Sequence, residues 1–191
     1  MTTDIKPIET HYAGCRFRSR LEARWAVFFD THGIKWEYES QGFDLPIVGR
    51  YLPDFWLPEW KSAVEIKGEP LFPEVDMDKF NACRKLAVLS IVKQRPSFLF
   101  SGNIGPDHLA YMWDNAIYAL APCRWGRCHK CNRVTLFHIW SFGRQNCIKC
   151  NAEPRAGHWL DDSIYTEARS ARFEFGETPI PKRLRKRAGS R

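Results

Sequence analysis

The stretch "YLPDFWLPEWKSAVEIKGE" (51–69) sets three charges among apolar neighbours: Asp54 directly after Pro53, then Glu65 and Lys67 inside "AVEIKG". Side chains alternate along a strand, so Val64 and Ile66 point one way while Glu65 and Lys67 point the other. A bare E-x-K is explained well enough by an amphipathic strand with one solvated face. Asp54 shifts that weighting, because an acid among so many aromatics is out of keeping unless it has a task. If the strand ending near 58 turns at "PEWK" and pairs with 62–68, Asp54 and Glu65 approach each other at one end of the hairpin. Two carboxylates brought together repel and shift each other's pKa. A divalent cation relieves that cost, and hard oxygen ligands with open water positions suit magnesium, or manganese in its place.

A cation so held can orient a water, lower its pKa and neutralise charge developing on a phosphodiester. Lys67, on the same strand face as Glu65, would position that water or stabilise charge at phosphorus. Two acids and a lysine on a strand, turn and strand therefore make a candidate phosphodiesterase site.

A second constellation lies downstream in "CHKCNRVTLFHIWSFGRQNCIKC". Cys128 and Cys131 form one C-x-x-C pair, and Cys147 and Cys150 form another fifteen residues later. Each pair lets two thiolates reach one ion from a tight turn, and two pairs complete the tetrahedral shell that zinc prefers. Four thiolates leave no coordination position open, so the expected role is structural. The intervening "RVTLFHIW" is strand-forming, which suggests a zinc ribbon stabilised by its metal. Redox pairs or unligated thiols are the plainer alternatives. Cys123, His129 and His138 are substitute ligands that the paired spacing disfavours, and Cys15 and Cys83 are expected to pack in the body.

The elements that must position these groups follow from periodicity. "FRSRLEARWAVFFDTHG" has Leu21, Trp25, Phe28 and Phe29 on one helical face, with Ser19 to cap the start and Gly33 to end it, which predicts a helix over 19–32. Short β-type runs at 34–40, 42–46, 50–58 and 62–68, punctuated by Pro and Gly, suggest an antiparallel meander. Met77, Phe80, Cys83, Ala87 and Ile91 trace a second helix, and "SFLF" (97–100) returns as a strand. Residues 109–120 carry a spacing compatible with a helix, through Leu109, Met112, Trp113, Ala116 and Ile117. Pro122 marks a plausible boundary before the cysteines. No internal repeat is evident. The resulting fold class is α/β, a mixed central sheet flanked by helices, with a small metal module attached.

Composition bounds the rest. The chain has 191 residues, 44% hydrophobic and 14% aromatic with eight Trp, enough for a packed core. The formal charge is +7, yet Lys182, Arg183, Arg185, Lys186, Arg187 and Arg191 close the chain; without those six the remainder carries +1. A basic tail suits a polyanion such as nucleic acid, or serves simply as a solubilising end. No apolar run approaches the length needed to cross a bilayer, and "MTTDIKPIET" has no signal-peptide core, so no membrane association and a cytoplasmic location are expected. Seven cysteines in a reducing compartment favour metal ligation or free thiols over disulfides.

"PD" at 53–54 followed by "EIK" at 65–67 resembles the PD-(D/E)xK nuclease superfamily, which includes restriction-endonuclease-like folds, junction resolvases and transposon-end nucleases. "RSxxE … YLPDFxLP … xVEIKGE" is especially similar to small bacterial and bacteriophage members, over about residues 11–100. The resemblance implies a restriction-endonuclease-like core at 1–120, a four-cysteine zinc ribbon at 123–155, and a short helix with a basic tail at 156–191. It implies Asp54, Glu65 and Lys67 as catalytic residues, with the Ile66 carbonyl completing a magnesium shell and Glu22 of the first helix facing the metal. Glu22 equally fits a capping box, Ser19-x-x-Glu22, that merely closes the helix start.

The implied activity is a metal-dependent DNA endonuclease leaving a 5′-phosphate, in a bacterial or phage-infected cell. DNA contacts fall to Arg18 and Arg20, with Arg16 beside them, and to the tail residues Lys182, Arg183, Arg185, Lys186 and Arg187. Lys79, Lys85 and Glu69 read more simply as solvated charges. Lys130, Arg133, Arg144 and Lys149, with Trp140 and Phe142, let the ribbon either touch DNA or dock on the core. Partners would be DNA and either a second copy of the chain or a larger recombination or packaging assembly. The alternatives are a non-catalytic DNA-binding zinc-ribbon protein of the same fold, and an RNA-processing nuclease.

Overall fold

The first long element shows how local chemistry sets boundaries. In the computed structural model, which describes residues 7–68, 77–93, 97–102, 104–105, 109–114, 119–138, 147, 149–152 and 159–173, helix α1 spans Arg20–His32. Ser19 caps it by accepting the Glu22 N–H at 3.2 Å, and Gly33 ends it in the left-handed region at φ 71°, where a residue without Cβ is at ease. Trp25, Phe28 and Phe29 are fully buried on its inner face. They meet the aromatic rings of the sheet: Trp25–Phe100 at 4.5 Å, Phe28–Trp125 at 4.8 Å and Phe29–Phe55 at 5.3 Å between centroids. Each such pair adds roughly 0.5–1.5 kcal/mol beyond the area it buries.

That sheet has seven strands in the order β11-β10-β9-β8-β7-β6-β3. The strands are β3 (Glu37–Tyr38), β6 (Phe55–Leu57), β7 (Ser62–Lys67), β8 (Phe98–Ser101), β9 (Leu109–Asp114), β10 (Ala119–Arg127) and β11 (Val134–His138). Among the described residues, only β7 and β8 run parallel. Their crossover contains α2 (Met77–Lys93), as a parallel pair demands. Two hairpins stand apart, β1 (Thr10–Tyr12) with β2 (Cys15–Phe17), and β4 (Phe43–Leu45) with β5 (Gly49–Tyr51). A turn of 3-10 helix at Asp162–Tyr165 leads into the short α3 (Thr166–Arg169), which packs on α1. The result is a mixed α/β fold, as the periodicity predicts.

Both faces of the sheet are covered. α1 lies on the side of Phe55, Val64, Ile66, Phe98 and Phe100. On the other side α2 and the β4–β5 hairpin bury Leu86, Leu89, Phe43, Leu45 and Tyr51 against Ala63 and Leu99. β7 is therefore buried along both faces up to Ile66, and the Glu65 side, which a plain amphipathic strand would leave to solvent, carries a second core.

Three further sequence readings change. "RYLPDFWLP", expected as one strand, is split at Pro53: β5 belongs to the outer hairpin and β6 to the main sheet. Proline has no N–H for the ladder, so the chain changes sheets there. Of the helix-compatible stretch 109–120, the described residues are β9 and the start of β10, with Ala116 and Ile117 outside them, because β8 offers an edge to which residues 109–112 add in register, and Tyr111 and Trp113 favour strands. Pro122 lies inside β10, paired with Tyr111, so the strand runs unbroken from the core toward the cysteines.

The aromatic packing yields a stability prediction. Phe28→Ala, which removes a ring lying among Trp25, Trp125 and Tyr165, should cost about 3–5 kcal/mol. Ile8→Ala, at a site 53% exposed, should stay within about 0.5 kcal/mol. Urea unfolding of the two variants checks both.

Candidate active site and four-cysteine centre

The sheet change at Pro53 delivers Asp54 to the start of β6. β6 and β7 pair antiparallel with Phe55 opposite Val64, so the next step of the register sets Asp54 opposite Glu65 and on the same face. Both carboxylates are buried, Asp54 at 2% and Glu65 at 7% exposure. Asp54 Oδ2 accepts the Ile66 N–H at 2.7 Å, and its Oδ1 accepts from Arg18 Nη2 at 2.5 Å. Glu65 Oε1 accepts from Lys67 Nζ at 2.8 Å, and its Oε2 from the Tyr51 hydroxyl at 2.8 Å. Asp54, Glu65 and Lys67 thus come together at the C-terminal end of β7. Ile66 contributes its N–H to the cluster while its side chain packs in the core on the α1 side.

The electrostatics follow from burial. Desolvation first, then the Glu65 charge, push the Asp54 pKa from 3.8 up to about 8, against the opposing Ile66 N–H and Arg18. Burial disfavours the Lys67 ammonium, but Glu65, by charge and hydrogen bond, and Asp54 outweigh it and raise its pKa. Tyr51 is raised well above its ordinary value by burial and by Glu65, so it stays a neutral donor. Two buried carboxylates therefore face each other across β6–β7, one of them reluctant to ionise.

Glu22 is buried beside this cluster with a full set of partners. Its oxygens accept from the Ser19 hydroxyl at 2.8 Å, the Tyr38 hydroxyl at 2.6 Å and the Arg18 N–H at 3.2 Å. The capping role is realised, shifted by one residue from the usual box because the backbone donor is Arg18 rather than Ser19. Its charge still reaches Asp54 and adds to the upward pKa shift there. Arg18, although mostly exposed, is bonded to Asp54 and stands 2.9 Å from Glu39 Oε1. Arg16 pairs with Glu9, and Lys85 Nζ stands 5.8 Å over the Tyr51 ring. Lys182, Arg183, Arg185, Lys186 and Arg187 lie outside the described residues, as do Glu69, Trp140, Phe142, Arg144 and the Lys79 side chain.

Tyr51, Tyr38 and Glu39 escape sequence reasoning. A tyrosine in a β-forming run carries no mark that its hydroxyl will meet an acid from another strand.

The four sulfurs of Cys128, Cys131, Cys147 and Cys150 lie within 4.8 Å of one another. Cys128–Cys150 is 3.5 Å and Cys131–Cys147 is 3.7 Å. Tetrahedral ligation at about 2.3 Å requires sulfur spacings of about 3.8 Å, whereas a disulfide needs about 2.0 Å. The group could hold a structural metal ion such as zinc. Cys123, a substitute ligand in the sequence reading, is instead buried in β10 with the main core, while Cys15 and Cys83 pack partly against the cores as expected.

The two turns are copies of each other, a repeat the sequence reading does not detect. Cys128 and Cys147 each accept at their carbonyl from the asparagine four residues on, both at 2.8 Å, and donate to the carbonyl five residues on, at 2.9 and 2.8 Å. Asn132 and Asn151 both take the left-handed backbone, φ 54° and 56°, which asparagine tolerates. The sequence signal was present as C-x-K-C-N in "CHKCN" and "CIKCN".

This module continues the central sheet. β11 pairs with β10 from Val134 opposite Arg127 to His138 opposite Cys123. Arg133 and Lys149 close on Glu59 in the β6–β7 turn, at 3.2 and 2.7 Å, with Lys35 at 3.5 Å. Two of the basic residues considered for nucleic acid are thus engaged with the core.

Two outcomes are expected. Folded Asp54 ionises near 8 and unfolded near 3.8, so the folded chain holds the extra proton in that window; this group's stabilisation is full below about pH 4 and lost as pH rises through about 8. In divalent-free buffer, thermal midpoints across that range should fall with a slope that Asp54→Asn removes. Elemental analysis of the purified chain should find one zinc per molecule, and Cys131→Ser should lower both metal content and thermal midpoint. In comparisons with protein-family models, curated proteins and solved structures, nothing matches this chain at a significant level.

Proposed function

We propose that this protein is a metal-dependent phosphodiesterase acting on DNA, with a restriction-endonuclease-like core and a zinc-bearing four-cysteine module. The observation that carries the reading is the buried pair Asp54 and Glu65, opposite each other across β6–β7, with Lys67 Nζ 2.8 Å from Glu65. Magnesium or manganese bound by Asp54 and Glu65, with the Ile66 carbonyl as the resemblance implies, would supply Lewis acidity for the phosphoryl group and for a water.

The chain's own residues do the rest. Asp54 gives up the proton that burial and Glu65 favour. Arg18, 62% exposed in its side chain, swings from Asp54 to a phosphate oxygen. Lys67 holds its proton and stays within reach of the attacking oxygen and the phosphorus, where an ammonium offsets developing negative charge. Tyr51 fixes the second oxygen of Glu65 so that the carboxylate keeps one orientation. Water attacks phosphorus and loses its proton to solvent, the P–O3′ bond on the far side breaks, the departing O3′ takes a proton from solvent to become a 3′-hydroxyl, and the other product carries a 5′-phosphate.

One observation favours a rival. Arg18 bonds Asp54 and Lys67 bonds Glu65, as in a structural ion-pair cluster, which fits a non-catalytic DNA-binding protein of the same fold. Incubation with labelled linear, nicked, flapped and four-way DNAs, and with RNA, in magnesium, manganese or chelator separates the readings. Magnesium-dependent cutting of DNA is expected, falling about 100- to 1,000-fold in Lys67→Met and to background in Asp54→Asn and Glu65→Gln with the fold retained. Wild-type cutting by either acid variant would falsify the assignment. Binding without cutting supports the rival, and cutting confined to RNA changes the substrate class.

A further inference from the structure

A second charged region stands apart from the acids. Arg20 and Arg24, one turn apart on α1, form one wall of an open cleft of about 360 Å³, and Arg169 and Arg172 form the other. The described lining is completed by Ser170, Ala171 and Phe173 and contains no carboxylate. Guanidinium groups stay charged at any working pH and present forked donors matched to phosphate oxygens. Arg169 and Arg172 are exposed. Both are carried by the segment that packs on α1 through Tyr165 and Ala168, and Phe173 is held edge-on by Tyr12 at 6.2 Å.

The cleft's place in the fold says what it serves. β7 and β8 run parallel with Lys67 beside Ser101, and the Gly102 N–H bonds the Lys67 carbonyl at 2.9 Å, so both strands end at one edge. Gly105 lies just beyond that edge. The Arg169 side chain passes over it, 3.5 Å from Cδ and 3.7 Å from Cζ to where a Cβ would stand. On the near side, Leu21, next to Arg20, stands 3.9 Å from the corresponding point at Gly68. Arg20 is also two residues from Arg18, the residue on Asp54. The cleft and the acids therefore share the C-terminal edge of β7–β8, where ligands of open α/β sheets gather.

We infer that Arg20, Arg24, Arg169 and Arg172 form a phosphate-binding cleft that holds the DNA backbone flanking the scissile bond. Three of these four residues lie outside every assignment drawn from the sequence. The inference rests on the phosphodiesterase reading for its scissile bond, but not for its anion. The cleft fixes register through the backbone and carries no base readout.

The test uses the full chain in calcium, with a fluorescent duplex and anisotropy at several salt concentrations, beside magnesium-dependent hydrolysis of bis(p-nitrophenyl) phosphate, which is too small to reach the cleft. Wild type and Arg169→Ala/Arg172→Ala are compared after matching their thermal midpoints. If the cleft holds two backbone phosphates through these residues, the slope of log affinity against log salt becomes shallower by about 1.8, while hydrolysis of the small diester is unchanged. An unchanged slope overturns the cleft, and so does a wild type that fails to bind DNA. Loss of small-diester hydrolysis in the double variant would mean that these arginines belong to the chemistry, and it overturns the inference as stated. A wild type that binds with the expected slope change yet hydrolyses neither substrate leaves the cleft standing and removes the phosphodiesterase reading.

Discussion

Two carboxylates buried opposite each other on adjacent strands set the terms for this molecule. Asp54 and Glu65 cannot both ionise cheaply at that spacing, and the chain answers with donors from several elements. The Ile66 N–H and Arg18 hold Asp54, while Tyr51 and Lys67 hold Glu65. Arg18 helps least per contact, since solvent screens a side chain that is mostly exposed. The compensation is therefore partial, and the Asp54 pKa remains raised to about 8. Under the proposed reading, partial compensation leaves the pair open to a further cation, whereas full neutralisation by buried partners would mark a structural cluster.

Such a cluster keeps its geometry only on a rigid frame. The acids stand on β7 and at the start of β6, inside the edge strand β3 of the main sheet, and both faces beneath them are packed. α1 presses Trp25, Phe28 and Phe29 onto one face, while α2 and the β4–β5 hairpin press on the other. Tyr51 belongs to that outer hairpin, so the hairpin both covers the second core and supplies a donor to Glu65. Glu22 plays a similar double part. It closes the start of α1 and, through Tyr38 and Arg18, ties the helix to the strand that borders the site.

Much of this was legible before any coordinates. Ser19 and Gly33 marked α1 because capping depends on one or two residues, and Asp54, Glu65 and Lys67 stood out as acids and a base against an apolar background. What failed was whatever depends on partners far along the chain. The 109–120 stretch fits a helical spacing by itself, and its described residues become strand because β8 offers an edge. The Glu65 face of β7 looks amphipathic until α2 and the outer hairpin cover it. Pro53 lies inside a run that reads as one strand over 50–58, and its effect, moving the chain from one sheet to another, depends on where both sheets lie. The arginines of "EARSARF" drew no attention because their neighbours on α1 are about 150 residues earlier. The C-x-K-C-N repeat differs from these: it was local, fully visible and simply shorter than the periods at which repeats are sought.

The four-cysteine centre then has a physical role even though its ligands leave no open coordination position. Among the described residues, its lysine and arginine reach back to Glu59, whose carboxyl Lys149 first, then Arg133 and Lys35, hold below the usual range. Glu59 sits in the turn joining β6 to β7, and the far ends of those strands carry Asp54 and Glu65. β11, leaving the first cysteine turn, completes the sheet edge beside β10 and places Leu136 and Val134 in the main core. A metal that fixes the two turns therefore fixes both ends of the attachment, the sheet extension and the ion-pair clamp. Surface ion pairs alone contribute little. Together with the strand pairing they make the module a brace on the β6–β7 turn, which explains how a centre with no open ligand position can still matter to the geometry of a site at the other end of the hairpin.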